Sequence, residues 1–168
     1  MSLFNANDST VASVFVDLKP YEVRMASDVG RLRMTSALDK SSAPAFPERH
    51  PGQLWYGHIG GACAELAVAK YLGVYWGGAI DTYNTSDMEG HEFEVRFSPV
   101  GKPKVRQRDT RMVIAVVGNA PQVKRFEILG WLSPTEARRD EWKSEDHPIC
   151  WFPPRTAWRS IDTLKVTR

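Results

Sequence analysis

Cysteine is nearly absent from this chain. Only Cys63 and Cys150 occur, far apart and in different settings, which leaves no zinc-type ligand pair and no disulfide framework and points to a reducing compartment. Histidine is almost as scarce. His50, His58, His91 and His147 show no ligand spacing on any one helix, so zinc hydrolase chemistry is not indicated. No apolar run approaches the ~18 residues that a membrane span requires, and residues 1–10 lack the basic and apolar regions of a secretory signal. A soluble, cytoplasmic protein is expected. There is no serine-centred elbow, phosphate loop or dinucleotide fingerprint. Repeats, low-complexity tracts and dividing linkers are missing too, so residues 1–168 should fold as one unit.

What is present resembles an ordinary domain. The chain has 168 residues, 42% hydrophobic and 25% charged, enough to build a core of its own. A net charge of +2 and a pI near 8.6 permit a polyanionic partner without demanding one. The bias is local. Lys102, Lys104, Arg106, Arg108 and Arg111 fall close together, opposed only by Asp109. Such a strip can track phosphates, and a solvated surface strand has the same composition.

Periodicity gives the elements. Val11 to Leu18 alternates in part, as an N-terminal strand or arm over residues 1–19 would. Pro20 to Leu38 carries Tyr21, Met25, Val29 and Leu32 on one helical stripe, with Gly30 as a weak point. From Asp39 to Gly61, prolines and glycines surround Trp55 and Tyr56 without period, which predicts a long irregular connection. A second helix follows from Ala62 to Leu72 and stops at Gly73. On its face Ala62, Glu65, Val68, Ala69 and Leu72 gather, so a carboxylate sits within the apolar stripe.

Short β-type runs come next, over Ala79 to Asn84, His91 to Ser98, Pro103 to Asp109, Met112 to Gly118 and Arg125 to Leu132. Their short links favour antiparallel neighbours. The nearly unbroken apolar run Met112 to Val117 predicts a central strand covered on both faces. Ser133-Pro134-Thr135-Glu136 reads as an N-cap, a first-turn proline and a capping-box glutamate, launching a short helix towards Trp142. The tail, residues 147–168, carries Trp151, Phe152 and Trp158 and should dock on the core. The predicted class is therefore α/β, a mixed and mainly antiparallel sheet flanked by helices.

One constellation carries chemistry. Alternation places Glu92, Glu94 and Arg96 on one side of a strand and Phe93, Val95 and Phe97 on the other. Asp87 lies in the preceding turn, near enough for both carboxylates to reach one cation, and Glu65 can share their pocket. Hard carboxylate oxygens suit Mg²⁺ or Mn²⁺. Such an ion polarises a phosphodiester, activates water and steadies the leaving oxygen.

Helix Glu65 followed by Asp87-x6-Glu94-Val95-Arg96 resembles the PD-(D/E)XK signature of the restriction-endonuclease-like nucleases. The string Gly61 to Lys70, Tyr75-Trp76, Asp87, Glu94-Val95-Arg96, Val113 to Gly118 and Gly130-Trp131-Leu132 is similar to small phage- or prophage-borne members of that superfamily, over about Pro20 to Trp158. The resemblance implies a metal-dependent phosphodiesterase acting on DNA. Glu65, Asp87 and Glu94 would be its ligands, Arg96 a further site residue, Lys102, Lys104, Arg106 and Arg108 DNA contacts, and a homodimer an available assembly. It departs from the motif in having Arg96 where the family has lysine. Arginine stays protonated, so it can hold phosphate but cannot act as a base. A fold retained for DNA or host-protein binding without turnover is the alternative. The plainer readings stay open: Glu65 paired to Arg96 or another arginine, Glu94 and Arg96 as a surface charge ladder, and Asp87 as a turn former.

Overall fold

The computed structural model describes residues 13–40, 51–80, 86–88, 90–118, 124–147 and 149–166. Strand β1 (Val14–Asp17) leads into helix α1 (Pro20–Lys40), whose start is fixed by Pro20 and by Glu22, which accepts the Lys19 amide at 2.6 Å. Helix α2 (Pro51–Leu72) follows, then β2 (Phe93–Ser98), β3 (Val105–Arg106), β4 (Met112–Gly118) and β5 (Arg125–Leu132). Helix α3 (Pro134–Ala137), a 3-10 turn at Asp140–Trp142 and β6 (Cys150–Trp151) close the order, with further 3-10 turns at Arg155–Ala157 and Ile161–Thr163.

The main sheet runs β1-β5-β4-β2. β1 and β4 both flank β5 antiparallel, while β2 lies parallel to β4. The α/β class and mixed sheet agree with the sequence reading. The antiparallel expectation fails for β2 and β4, because residues 99–111 form a crossover and β3 leaves the main sheet to pair with β6. The strand expected over Pro103 to Asp109 shrinks to two paired residues for that reason. The one expected over Ala79 to Asn84 lies partly outside the described residues.

Helix α2 packs on the sheet and α1 packs on α2. Residues 62–69 of α2 are buried on every side, so this helix is an inner layer rather than an amphipathic cover. It also begins at Pro51, and the irregular connection predicted up to Gly61 is helical from residue 51 onward. Gly52, Gly57, Gly60 and Gly61 cost helix propensity, yet close packing uses two glycines at the contacts. A Cβ at Gly60 would lie 2.3 Å from the Phe97 ring, and one on Gly30 of α1 would lie 2.5 Å from Ile59 Cα. Ala26, Gly30 and Met34 therefore form the inner side of α1. Tyr21, Met25 and Leu32, which predicted the helix, stand on its exposed side.

The core has two parts. Phe93, Val95, Ile114, Val116, Phe126 and Ile128 meet α2 on one face of the sheet. Val113, Ala115, Leu129 and Leu132 meet Val105, Ala137 and Trp158 on the other. β4 is thus covered on both faces, as its apolar run predicted. A bulge opposite Ala115 and Val116 shifts the alternation of β5, so that Ile128 faces the first core while Leu132, four residues on, faces the second. Gly130 adopts φ +139, and its missing Cβ leaves room for the Arg159 carbonyl oxygen, which would otherwise lie 2.0 Å away. That opening admits the tail: Trp131 and Arg159 exchange amide bonds at 3.0 and 3.1 Å, and Trp158 and Ile161 are buried. The predicted capping box is present, with Ser133 and Glu136 bonding reciprocally. No helix among the described residues is long and apolar enough to cross a membrane.

Candidate functional site

β2 is an edge strand, and the site is arranged around its free edge. Alternation sends Phe93 and Val95 towards α2 and puts Glu94 and Arg96 on the opposite face, in register with Val113 and Ala115. The Val95 amide points outward, where Asp87 Oδ2 accepts it at 2.6 Å. Ser86 fixes the same turn by donating to the Phe93 carbonyl at 2.8 Å and accepting the Met88 amide at 3.3 Å. Asp87 is therefore held at the rim where the two faces of the sheet meet.

On the far face Arg96 is gripped by acids. Its Nη2 bonds Glu94 Oε2 and Asp109 Oδ1, and its Nε bonds Asp109 Oδ2 at 3.2 Å. Asp109 is fully buried and also accepts the Arg106 amide at 2.8 Å. Arg138 secures that loop from behind through the carbonyls of Arg106, Gln107 and Asp109. Arg111 reaches Glu94 Oε1 at 3.4 Å and Glu92 at 3.6 Å. Burial pulls the Arg96 pKa down, but the bonds and charge of Asp109, with Glu94 and Asp87, outweigh it and leave the pKa raised.

Glu65 lies on the α2 side and is buried. Arg33 of α1 forks onto it, Nη1 to Oε1 at 2.6 Å and Nη2 to Oε2 at 2.9 Å. Trp76 Nε1 donates to Oε2 at 3.0 Å, and Arg33 Nε binds the Ala79 carbonyl at 2.9 Å. The partner of Glu65 is thus an arginine other than Arg96.

Asp87 connects the two groups electrostatically. Burial raises its pKa first, and repulsion from Glu65 and then Glu94 adds to this. The Val95 bond and the positive charge of Arg96 oppose the rise, and the carboxyl stands at about 7. The structure therefore brings Asp87, Glu94 and Arg96 together at one edge, with Glu65 within electrostatic reach. It does not turn their oxygens onto one point: no group of three or more His, Cys, Asp or Glu side chains among the described residues is arranged to hold a metal ion.

The basic strip divides. Lys102 and Arg108 are exposed, whereas Lys104 and Arg106 are half-buried, and Arg111 is taken up by Glu92 and Glu94. Burial lowers the Arg106 pKa, helped by Arg96 and Arg108. His58, on α2, is held below its usual pKa by burial and then by Arg33, so it is neutral near pH 7. A cleft of about 380 Å³ lined by Glu136, Arg139, Trp142 and Arg159 shares no residue with the acidic site.

Sequence reasoning missed Arg33 and gave Asp109 no role. For Arg33 the signal was available in its phase, since residues 26, 30, 33 and 34 share the small-residue face of α1. No family model, curated protein or solved structure matches this chain.

Proposed function

We propose that the chain is a divalent-metal-dependent deoxyribonuclease of the PD-(D/E)XK kind, with Asp87, Glu94 and Glu65 as its acidic site. The observation that carries the reading is Asp87, a half-buried carboxyl anchored to the backbone between Glu94 and Arg96 and repelled by both Glu65 and Glu94. Carboxylate oxygens are the hard donors that Mg²⁺ or Mn²⁺ takes, and a cation beside Asp87 would relieve the repulsion. When bound, the ion supplies Lewis acidity and an activated water. Glu94 and Glu65 must each turn an oxygen from an arginine towards Asp87 for the three to act together. Arg96, permanently protonated and fixed by Asp109, holds a phosphate oxygen and steadies negative charge rather than taking up a proton. The exposed Lys102 and Arg108 meet the DNA backbone, with Lys104 and Arg106 behind them. A cytoplasmic phage or prophage setting and a homodimer belong to this reading.

Incubation of the purified protein with linear, circular and branched DNA tests it. Cleavage should require Mg²⁺ or Mn²⁺ and disappear with chelator and in Glu94→Ala. No cleavage with any divalent metal would defeat the enzyme reading.

The arginine pairs of Glu65 and Glu94 favour a second reading, a nuclease-fold protein that binds DNA or a host protein without turnover. Retarded DNA migration with no cleavage would select it.

A further inference from the structure

We propose that the cleft between α3 and the docked tail is a binding site for single-stranded nucleic acid, seating one nucleotide with its phosphate on Arg139 and Arg159 and its base against the Trp142 indole. The inference goes beyond the nuclease reading, since it involves no metal, no acid of the β2 edge and no turnover. Two segments line the cleft, one contributing Glu136, Arg139 and Trp142, the other Thr156 and Arg159. Its volume of about 380 Å³ lies at the lower end of the ~300–1,000 Å³ of small-ligand sites, so it takes one nucleotide unit at a time.

Charge and ring chemistry together set the ligand class. Arg139 Cζ lies 4.6 Å from the centre of the Trp142 ring, and Arg159 Cζ lies 5.0 Å from that of Trp131, so each guanidinium rests against an indole. The cleft thus sets two guanidiniums against one carboxylate, Glu136, which Ser133 and Arg159 already engage. Arg139 keeps only Glu141 as an acidic partner, at 3.8 Å, with both side chains more than half exposed, and a pair of that kind yields readily to a phosphate. Asp140 and Glu141 do not line the cleft. An anion that carries a planar ring meets both the cations and the indole. The platform is also preset. The Trp142 amide donates to the Arg139 carbonyl at 3.0 Å, its carbonyl accepts the Phe152 amide at 2.8 Å, and Arg159 is fixed by its two backbone bonds to Trp131. Arg138, the neighbour of Arg139, binds the carbonyls of Arg106, Gln107 and Asp109, which joins the cleft to the loop carrying the exposed Arg108. A polymer with repeating phosphates can use both places, and a free nucleotide can use only one.

Fluorescence anisotropy of a labelled oligo-dT strand, titrated with full-length protein in chelator, tests the site without requiring activity. Stacking of a base on an aromatic ring is worth about tenfold in affinity, so Trp142→Leu should weaken binding about tenfold and Trp142→Phe should lose less. Arg139→Gln should weaken binding and lower the slope of log Kd against log salt by about 0.7, the share of one single-strand phosphate. It alters only an exposed side chain and decides alone if Trp142→Leu does not fold. Duplex DNA and an abasic strand should bind more weakly than oligo-dT. No binding of oligo-dT, or affinity and salt slope unchanged in both Arg139→Gln and Trp142→Leu, overturns the proposal. An abasic strand or poly-glutamate that binds as tightly as oligo-dT reduces the cleft to a charged surface and also overturns it. Displacement of the strand by an equal concentration of dTMP overturns the strand as occupant. Cleavage with Mg²⁺ or Mn²⁺ is read separately, so either reading can fail while the other stands.

Discussion

Replacing Asp87 by asparagine keeps an oxygen for the Val95 amide and removes only the charge, so it measures what the acidic cluster costs the fold. In the unfolded chain this carboxyl has its usual value of 3.8, and in the folded chain it stands at about 7. At about 1.4 kcal/mol for each tenfold in proton affinity, the ionised native state carries about 4 kcal/mol of unfavourable energy above pH 8. The amide must still occupy a half-buried site, which offsets part of this and leaves a gain of about 2–4 kcal/mol.

The sign follows from proton counting. Between pH 4 and 7 the unfolded chain has released this proton and the native chain has kept it. The contribution of Asp87 to stability therefore falls as pH rises through that window and is most unfavourable above it. Near pH 4 Asp87→Asn should lie level with the unaltered protein or up to about 2 kcal/mol below it, and it should gain progressively and exceed it towards pH 8. For a chain of this size the difference corresponds to roughly 5–15 °C in Tm. Thermal melts at pH 4, 5, 6, 7 and 8 in chelator provide the test. A difference that stays flat with pH, or a variant less stable at pH 8, would refute the account of repulsion around Asp87.

Three further substitutions probe the supports. Asp109→Ala strands Arg96 without its buried partner and should cost about 3–5 kcal/mol in urea denaturation; a loss under 1 kcal/mol would mean that Glu94 alone holds the guanidinium. Gly130→Ala drives a Cβ into the Arg159 carbonyl and should undock the tail, seen as faster proteolysis beyond residue 147; unchanged protection would contradict the fit of the tail against β5. Ser133→Ala removes the hydroxyl half of the capping box and leaves the residue-133 amide on Glu136; it should cost about 1 kcal/mol in chemical denaturation, while no change would show that α3 does not depend on the hydroxyl.

Where local chemistry and tertiary packing agreed, the fold was legible. Val113 to Val116 read as a doubly covered strand because each is apolar, and Ser133 to Glu136 read as a helix start because the cap is a local bond network. Disagreement hid the rest. Residues 51–61 read as irregular because their glycines weaken a helix, but Gly60 is needed where the helix meets Phe97. α1 displayed its apolar stripe on the exposed side because the inner side was made of Ala26 and Gly30, too small to register as hydrophobic. Nothing in the short links around β3 disclosed that it would leave the main sheet.

The site was legible to the extent that spacing governs it. Alternation along β2 placed Glu94 and Arg96 on one face, and the turn before it brought Asp87 to the same strand. Pairing is another matter, because an ion pair joins residues through their heights and rotations on separate elements. Arg33 reaches Glu65 only because Gly30 lets α1 sit against residues 58 and 59 of α2. Asp109 reaches Arg96 only because the crossover folds beneath β2 with Arg138 holding its carbonyls. Glu65, Glu94 and Asp109 are thus each defined by the arginine they face, whereas Asp87 is held by the Val95 amide. Metal-dependent cleavage that disappears in Glu94→Ala, rather than the acid spacing, is the observation that separates a working cluster from a set of structural ion pairs.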